Sequence, residues 1–67
     1  MNKSQFVKYL SDKYHRMFLT KSETAHELDV THVMIDNLRR SGELKSRKAG
    51  SKVLIDAIEI ADYLKLS

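Results

Sequence analysis

The stretch from Leu19 to Leu44, LTKSETAHELDVTHVMIDNLRRSGEL, decides how this 67-residue chain is read. Thr20 and Glu23 form a T-x-x-E capping box, in which each side chain accepts from the other residue's free backbone N–H. A short helix over 21–28 follows, with Ala25 and Leu28 facing inward. Asp29-Val30 makes a turn, and Thr31 caps a second helix that runs to about Arg40. Met34, Ile35 and Leu38 form its inner stripe. Gly42 offers the left-handed residue that commonly ends a helix, and Arg39 and Arg40 suit the negative end of the dipole.

Upstream, Phe6, Leu10, Tyr14 and Met17 recur at helical spacing, which predicts an amphipathic helix over 3–16 with Ser4 as a cap. Downstream, KSRKAGSKVLI over 45–55 reads as a hairpin with Gly50 at the position needing positive φ. Asp56 caps a last helix over 56–66, and Glu59 repeats the capping-box spacing. Ile58, Ala61 and either Leu64 or Tyr63 form its buried face, and the final DYLKLS can continue as helix. The order is helix, helix, turn, helix, hairpin, helix: a single mainly α domain over 1–67 with a small β-hairpin.

A domain this small draws only about 3–5 kcal/mol from its core. With no cysteine, disulfides and thiolate-metal sites are excluded. His15, His26 and His32 lack the i, i+4 spacing of a helical zinc site, so no metal or other cofactor is expected. No nucleophile–base constellation or phosphate-cradling loop can be assembled, and neither an enzyme nor a small-molecule site is expected. No apolar run approaches a membrane span and no signal peptide opens the chain, so the expected location is the cytoplasm, away from membranes.

The net charge of +3 is mild, but six of the twelve basic residues lie between Arg39 and Lys52. Clustering of one sign suits a polyanionic partner, and equally a solvated surface loop. Two short helices joined by a tight turn are the helix-turn-helix element, in which the first braces the second in the major groove of double-stranded DNA. Facing away from the inner stripe are His32, Val33, Asp36, Asn37 and Arg40, with Thr31 nearest the phosphates. Asn37 suits adenine, Arg40 guanine or a phosphate, and Val33 a thymine methyl. The hairpin, with Arg47, Lys48, Ser51 and Lys52, then serves as a wing on the DNA backbone or minor groove. Lys21 and Arg39 are further candidate backbone contacts. Asp36 can accept from a cytosine amino group, hold Arg39 or Arg40 in position, or face solvent. His32 is either a DNA contact or a surface histidine.

Residues 18–64, FLTKSETAHELDVTHVMIDNLRRSGELKSRKAGSKVLIDAIEIADYL, resemble the excisionase-type helix-turn-helix module, a minimal relative of the MerR winged-helix fold. The pieces that match are LT with Glu23 and Ala25, LDVT at the turn, LRRSGEL after it, Gly50 at the wing tip, and IEIADYL. The resemblance implies a winged helix-turn-helix with an added N-terminal helix, serving core completion first and self-association second. It implies a recombination directionality factor of a phage or mobile element that binds repeated sites, bends DNA and acts with a tyrosine recombinase. On that resemblance Thr31, His32, Val33, Asn37 and Arg40 read DNA, with Lys48, Ser51 and Lys52 on the wing. The chain departs from the pattern at Asp29, where glycine is usual, and at Leu54, where wings often carry arginine. A small phage or plasmid repressor, the DNA-binding head of a longer segregation or partition protein, and a protein-binding adaptor are the alternatives. A single module buries only about 600–1,000 Å² on DNA, so useful occupancy calls for a dimer or cooperative binding.

Overall fold

Each helix in the computed structural model, which describes residues 1–67, starts on a side-chain cap and is followed closely by a left-handed residue. The order is α1 (Lys3–Tyr14), β1 (Phe18–Thr20), α2 (Lys21–Leu28), α3 (His32–Ser41), β2 (Arg47–Ala49), β3 (Lys52–Asp56) and α4 (Ala57–Tyr63). The box at Thr20 closes: its Oγ1 accepts from Glu23 N–H at 3.1 Å, and Glu23 accepts from Thr20 N–H at 2.9 Å. Thr31 Oγ1 accepts from Met34 N–H at 3.1 Å. The positive-φ residues are His15 after α1, Asp29 after α2, Gly42 after α3, Gly50 in the hairpin and Lys65 after α4.

Several helix limits differ from the sequence reading. The cap of α1 is Asn2, not Ser4, because Asn2 and Gln5 already form a reciprocal box with bonds of 2.8 and 3.0 Å. That helix stops at Tyr14 rather than near Arg16, since His15 turns left-handed and sends the chain into β1. Asp56 caps α4 through Ile58 N–H at 2.8 Å, so the Glu59 box spacing is not used. The buried face of α4 is Ala57, Ile60 and Ala61, whereas Ile58 and Leu64 are about two-fifths exposed. The helix begins directly after β3, which shifts its inward phase by one residue. It also ends early. Lys65 N–H donates to Asp62 O and Leu66 N–H to Ala61 O, a Schellman motif, so α4 does not run on through DYLKLS. Met34 is likewise two-fifths exposed, leaving Ile35 and Leu38 as the inner stripe of α3.

β1 has no counterpart in the sequence reading. It pairs antiparallel with β3, which also pairs with β2, giving the strand order β1-β3-β2. The register sets Leu19 against Ile55, both fully buried, and Phe18 against Asp56. Ala57 N–H then donates to Met17 O at 2.9 Å, extending the join toward α4. Leu10 of α1, Leu19, Ile35 and Leu38 of α3, Ile55 and Ile60 meet in one core with Leu44, whose N–H bonds to Leu38 O. The result is mainly helical with a small antiparallel sheet, an arrangement compatible with a winged helix. Its Cα radius of gyration, 11.1 Å, is that of a compact domain of this length, about 11 Å. No helix is long and apolar enough to cross a membrane.

Glu27 ties α1 to α2. Its carboxylate accepts from Lys13 Nζ at 2.7 Å, from Tyr9 Oη at 2.9 Å and from Tyr14 Oη. Burial pulls this carboxyl upward, but the hydrogen bonds from Lys13, Tyr14 and Tyr9 outweigh it and hold it below the ordinary range. Burial and the Glu27 hydrogen bond together push Tyr14 up to about 12.

Two outcomes test this account. Lys65→Gly relieves a left-handed strain of about 1–2 kcal/mol and gives back roughly 0.5–1 through the freedom of glycine in the unfolded chain. A net gain of about 0.5–1 kcal/mol in thermal melts is expected, while Gly42→Ala, at φ +82°, moves the midpoint the other way. Glu27 contributes through a lowered folded-state pKa, so its stabilisation is present above the unfolded carboxyl pKa and is lost as pH falls through the folded value. Glu27→Gln should therefore destabilise at neutral pH and flatten the fall in stability on acidification, read by urea titrations across pH 2–7.

Candidate nucleic-acid interface

Burial of Ile35 and Leu38 fixes which way α3 faces. Val33, opposite them, is 69% exposed, and Thr31, His32, Asn37 and Arg40 are exposed as well. Thr31 spends its hydroxyl oxygen on the helix start. Arg40 reaches only Asn37 Oδ1, at 3.5 Å, the outer limit of a hydrogen bond.

Asp36 lies half-buried on the flank of α3 toward α2. Its carboxylate accepts from Lys21 Nζ at 3.2 and 3.3 Å and from Arg39 at 2.9 Å. The hydrogen bond from Lys21, with that from Arg39, holds the carboxyl below its ordinary range against a smaller desolvation. Arg39 Nε donates to Ser46 Oγ at 2.8 Å, just before β2. Lys21, Asp36, Arg39 and Ser46 thus link α2, α3 and the hairpin. Lys21 and Arg39, read from the sequence as backbone contacts, are already engaged with a carboxylate.

The hairpin register divides its cations between two faces. Lys48 stands opposite Val53, the β3 position that alternates with Leu54 and shares the face of the buried Ile55. Arg47 stands opposite Leu54 on the outer face, its guanidinium 4.0 Å from the Phe18 ring centroid. Ser51 and Lys52 are exposed beside Gly50 at the tip. Neither Phe18 nor Ser46 figured among the candidate site residues. The basic run around Ser46 was visible, but nothing marked its hydroxyl as the partner of Arg39; the Phe18 stacking depends on β1, for which no pattern was read.

The ion pairs sort the charge. Lys3, Lys8, Lys13, Arg16, Lys21 and Arg39 each hold a carboxylate. The remaining basic side chains are Arg40, Lys45, Arg47, Lys48, Lys52 and Lys65, and all but Lys65 lie from the last turn of α3 through the hairpin. Unpaired positive charge is therefore far more localised than the net charge suggests. No three His, Asp or Glu side chains come together as a metal site.

No family model, curated protein or solved structure matches the chain.

Stacking on Phe18 anchors Arg47, whereas Lys48 holds no carboxylate. Arg47→Ala is expected to cost about 0.5–1 kcal/mol of stability, the worth of an exposed cation–π contact. Lys48→Ala should leave the thermal midpoint nearly unchanged. Equal midpoints for the two variants would show that the stacking contributes nothing.

Proposed function

We propose that this chain is a winged helix-turn-helix protein that binds double-stranded DNA with sequence preference, α3 entering the major groove and the β2–β3 hairpin acting as its wing. The observation that carries the reading is the gathering of five cations without carboxylate partners along Arg40–Lys52, beside an α3 face that is solvent-exposed. A helix fits the major groove, and the exposed Val33, Asn37 and Arg40 offer a methyl contact, an amide for adenine and a guanidinium for guanine. To Lys48, Ser51 and Lys52 we assign the neutralising or hydrogen-bonding of phosphates, with Arg47 adding charge from the outer face of the hairpin.

Within that class we favour the excisionase-type, MerR-like module, a recombination directionality factor that binds repeated sites and shapes DNA. The support is the resemblance across residues 18–64 together with a helix pair and hairpin in the order that module requires. One such unit is a weak binder, so occupancy of adjacent repeats by several copies supplies the affinity.

Footprinting on the DNA flanking the protein's own gene, at two salt concentrations, tests the proposal. Adjacent protected repeats with bend-induced hypersensitive cuts are expected. One protected operator over a promoter would instead indicate a small repressor, and no protection at low salt would remove the DNA reading altogether. Asn37→Ala or Arg40→Ala should cut discrimination at one base position by about 1–3 kcal/mol. Lys48→Ala or Lys52→Ala should weaken binding to all sequences and lower the log–log salt slope by about one each.

A further inference from the structure

Asp36 is the one carboxylate that engages two cations of the proposed DNA face. Lys21 comes from α2 and Arg39 from the last turn of α3, and they converge on it from two elements. Convergent, charge-assisted donors of this kind are also how basic side chains hold a phosphate oxygen. The cluster is not sealed: Lys21, Asp36 and Arg39 keep 31%, 29% and 21% of their side-chain surface open to solvent. A shallow concavity lined by Asp36, Arg39, Arg40 and Ser46 opens beside it.

We infer that Asp36 sets the overall affinity of the DNA face, occupying as an internal carboxylate the place that a DNA phosphate would otherwise take between Lys21 and Arg39. The inference rests on the DNA-binding reading above. Binding to arbitrary DNA is driven by cations that neutralise phosphates and release counterions. A cation already matched by a carboxylate contributes little to that term, and the carboxylate itself repels the phosphate. Contacts from Val33, Asn37 and Arg40 to base edges are untouched by this pairing. Asp36 therefore weakens binding to every sequence through the backbone by about the same factor, lowering overall affinity while leaving the ratio between target and random DNA to the base contacts.

Asp36→Asn keeps the side-chain shape and one acceptor oxygen while removing the charge. Binding to a random-sequence duplex is measured by fluorescence anisotropy across a salt series, alongside a duplex selected by the wild-type protein from a randomised pool. The variant is expected to bind random duplex about tenfold more tightly near 0.1 M salt, with a log–log slope steeper by about one to two. It should gain by about the same factor on the selected duplex, so that its preference stays near that of the wild-type protein. Adding Lys21→Gln to Asp36→Asn should take back about one unit of that slope. A merely structural role for Asp36 would change thermal stability without steepening the slope. An unchanged or shallower slope in a variant with wild-type circular dichroism overturns the inference, while binding by the wild-type protein leaves the DNA reading intact. Absence of binding to any duplex by either protein at low salt overturns both. If the asparagine variant does not fold, Asp36→Ser takes the same measurements with the same outcomes.

Discussion

Seven elements fit into 67 residues only because each helix stops abruptly, the first three passing the chain to the next element within a few residues. A left-handed residue at the end of a helix reverses the chain within one or two positions and satisfies carbonyls that would otherwise be orphaned. Here that conformation follows all four helices, yet only Gly42 adopts it without steric cost; His15, Asp29 and Lys65 carry a side chain through it. Asp29 is the mildest exception, because aspartate visits this region more readily than most residues. The angle between α2 and α3 depends on that turn, so the outward face of α3 is set by local backbone geometry as much as by the core beneath it.

Acidic residues provide a second layer of order. Glu27 joins α2 to α1, Glu23 closes the box at Thr20 while accepting from Arg16, and Asp36 joins α3 to α2. Apart from Glu27, whose side chain is nearly covered, such pairs contribute little stability individually. Their larger effect is on distribution, since each carboxylate withdraws a cation from the surface field and leaves the positive remainder along Arg40–Lys52. An almost balanced composition thereby gives a one-sided surface.

The features readable from sequence were those with strong local signals. The T-x-x-E box, the cap at Thr31, Gly42 and the Gly50 hairpin each depend on residues within a few positions of one another. β1 was not readable, because three residues carry too little alternation to declare a strand and its partner lies far along the chain. The inward phase of α4 was misread for a related reason: without β1 and β3 in place, nothing marks Ala57 as buried. At the candidate interface the exposed face of α3 follows from helical periodicity. Asp36 holding Arg39 is among the readings its sequence spacing offers, but its pairing with Lys21 is not, since the lysine stands fifteen positions from the aspartate. Arg47 and Lys48, neighbours in one strand, must take opposite faces of the sheet, and only the register shows which takes which.

The packing of α1 against α4 brings the two ends of the chain together. Lys3 N–H donates to Ser67 O at 3.1 Å, and Lys3 Nζ meets Asp62 at 2.6 Å. Topologically the domain is close to a ring, with its seam on the α1–α4 side. A short peptide joining the ends would bridge almost no distance, and the chain could be reopened at an exposed connection without removing an element. Such a circular chain would also have fewer unfolded conformations to lose, a gain available without altering any side chain of the core.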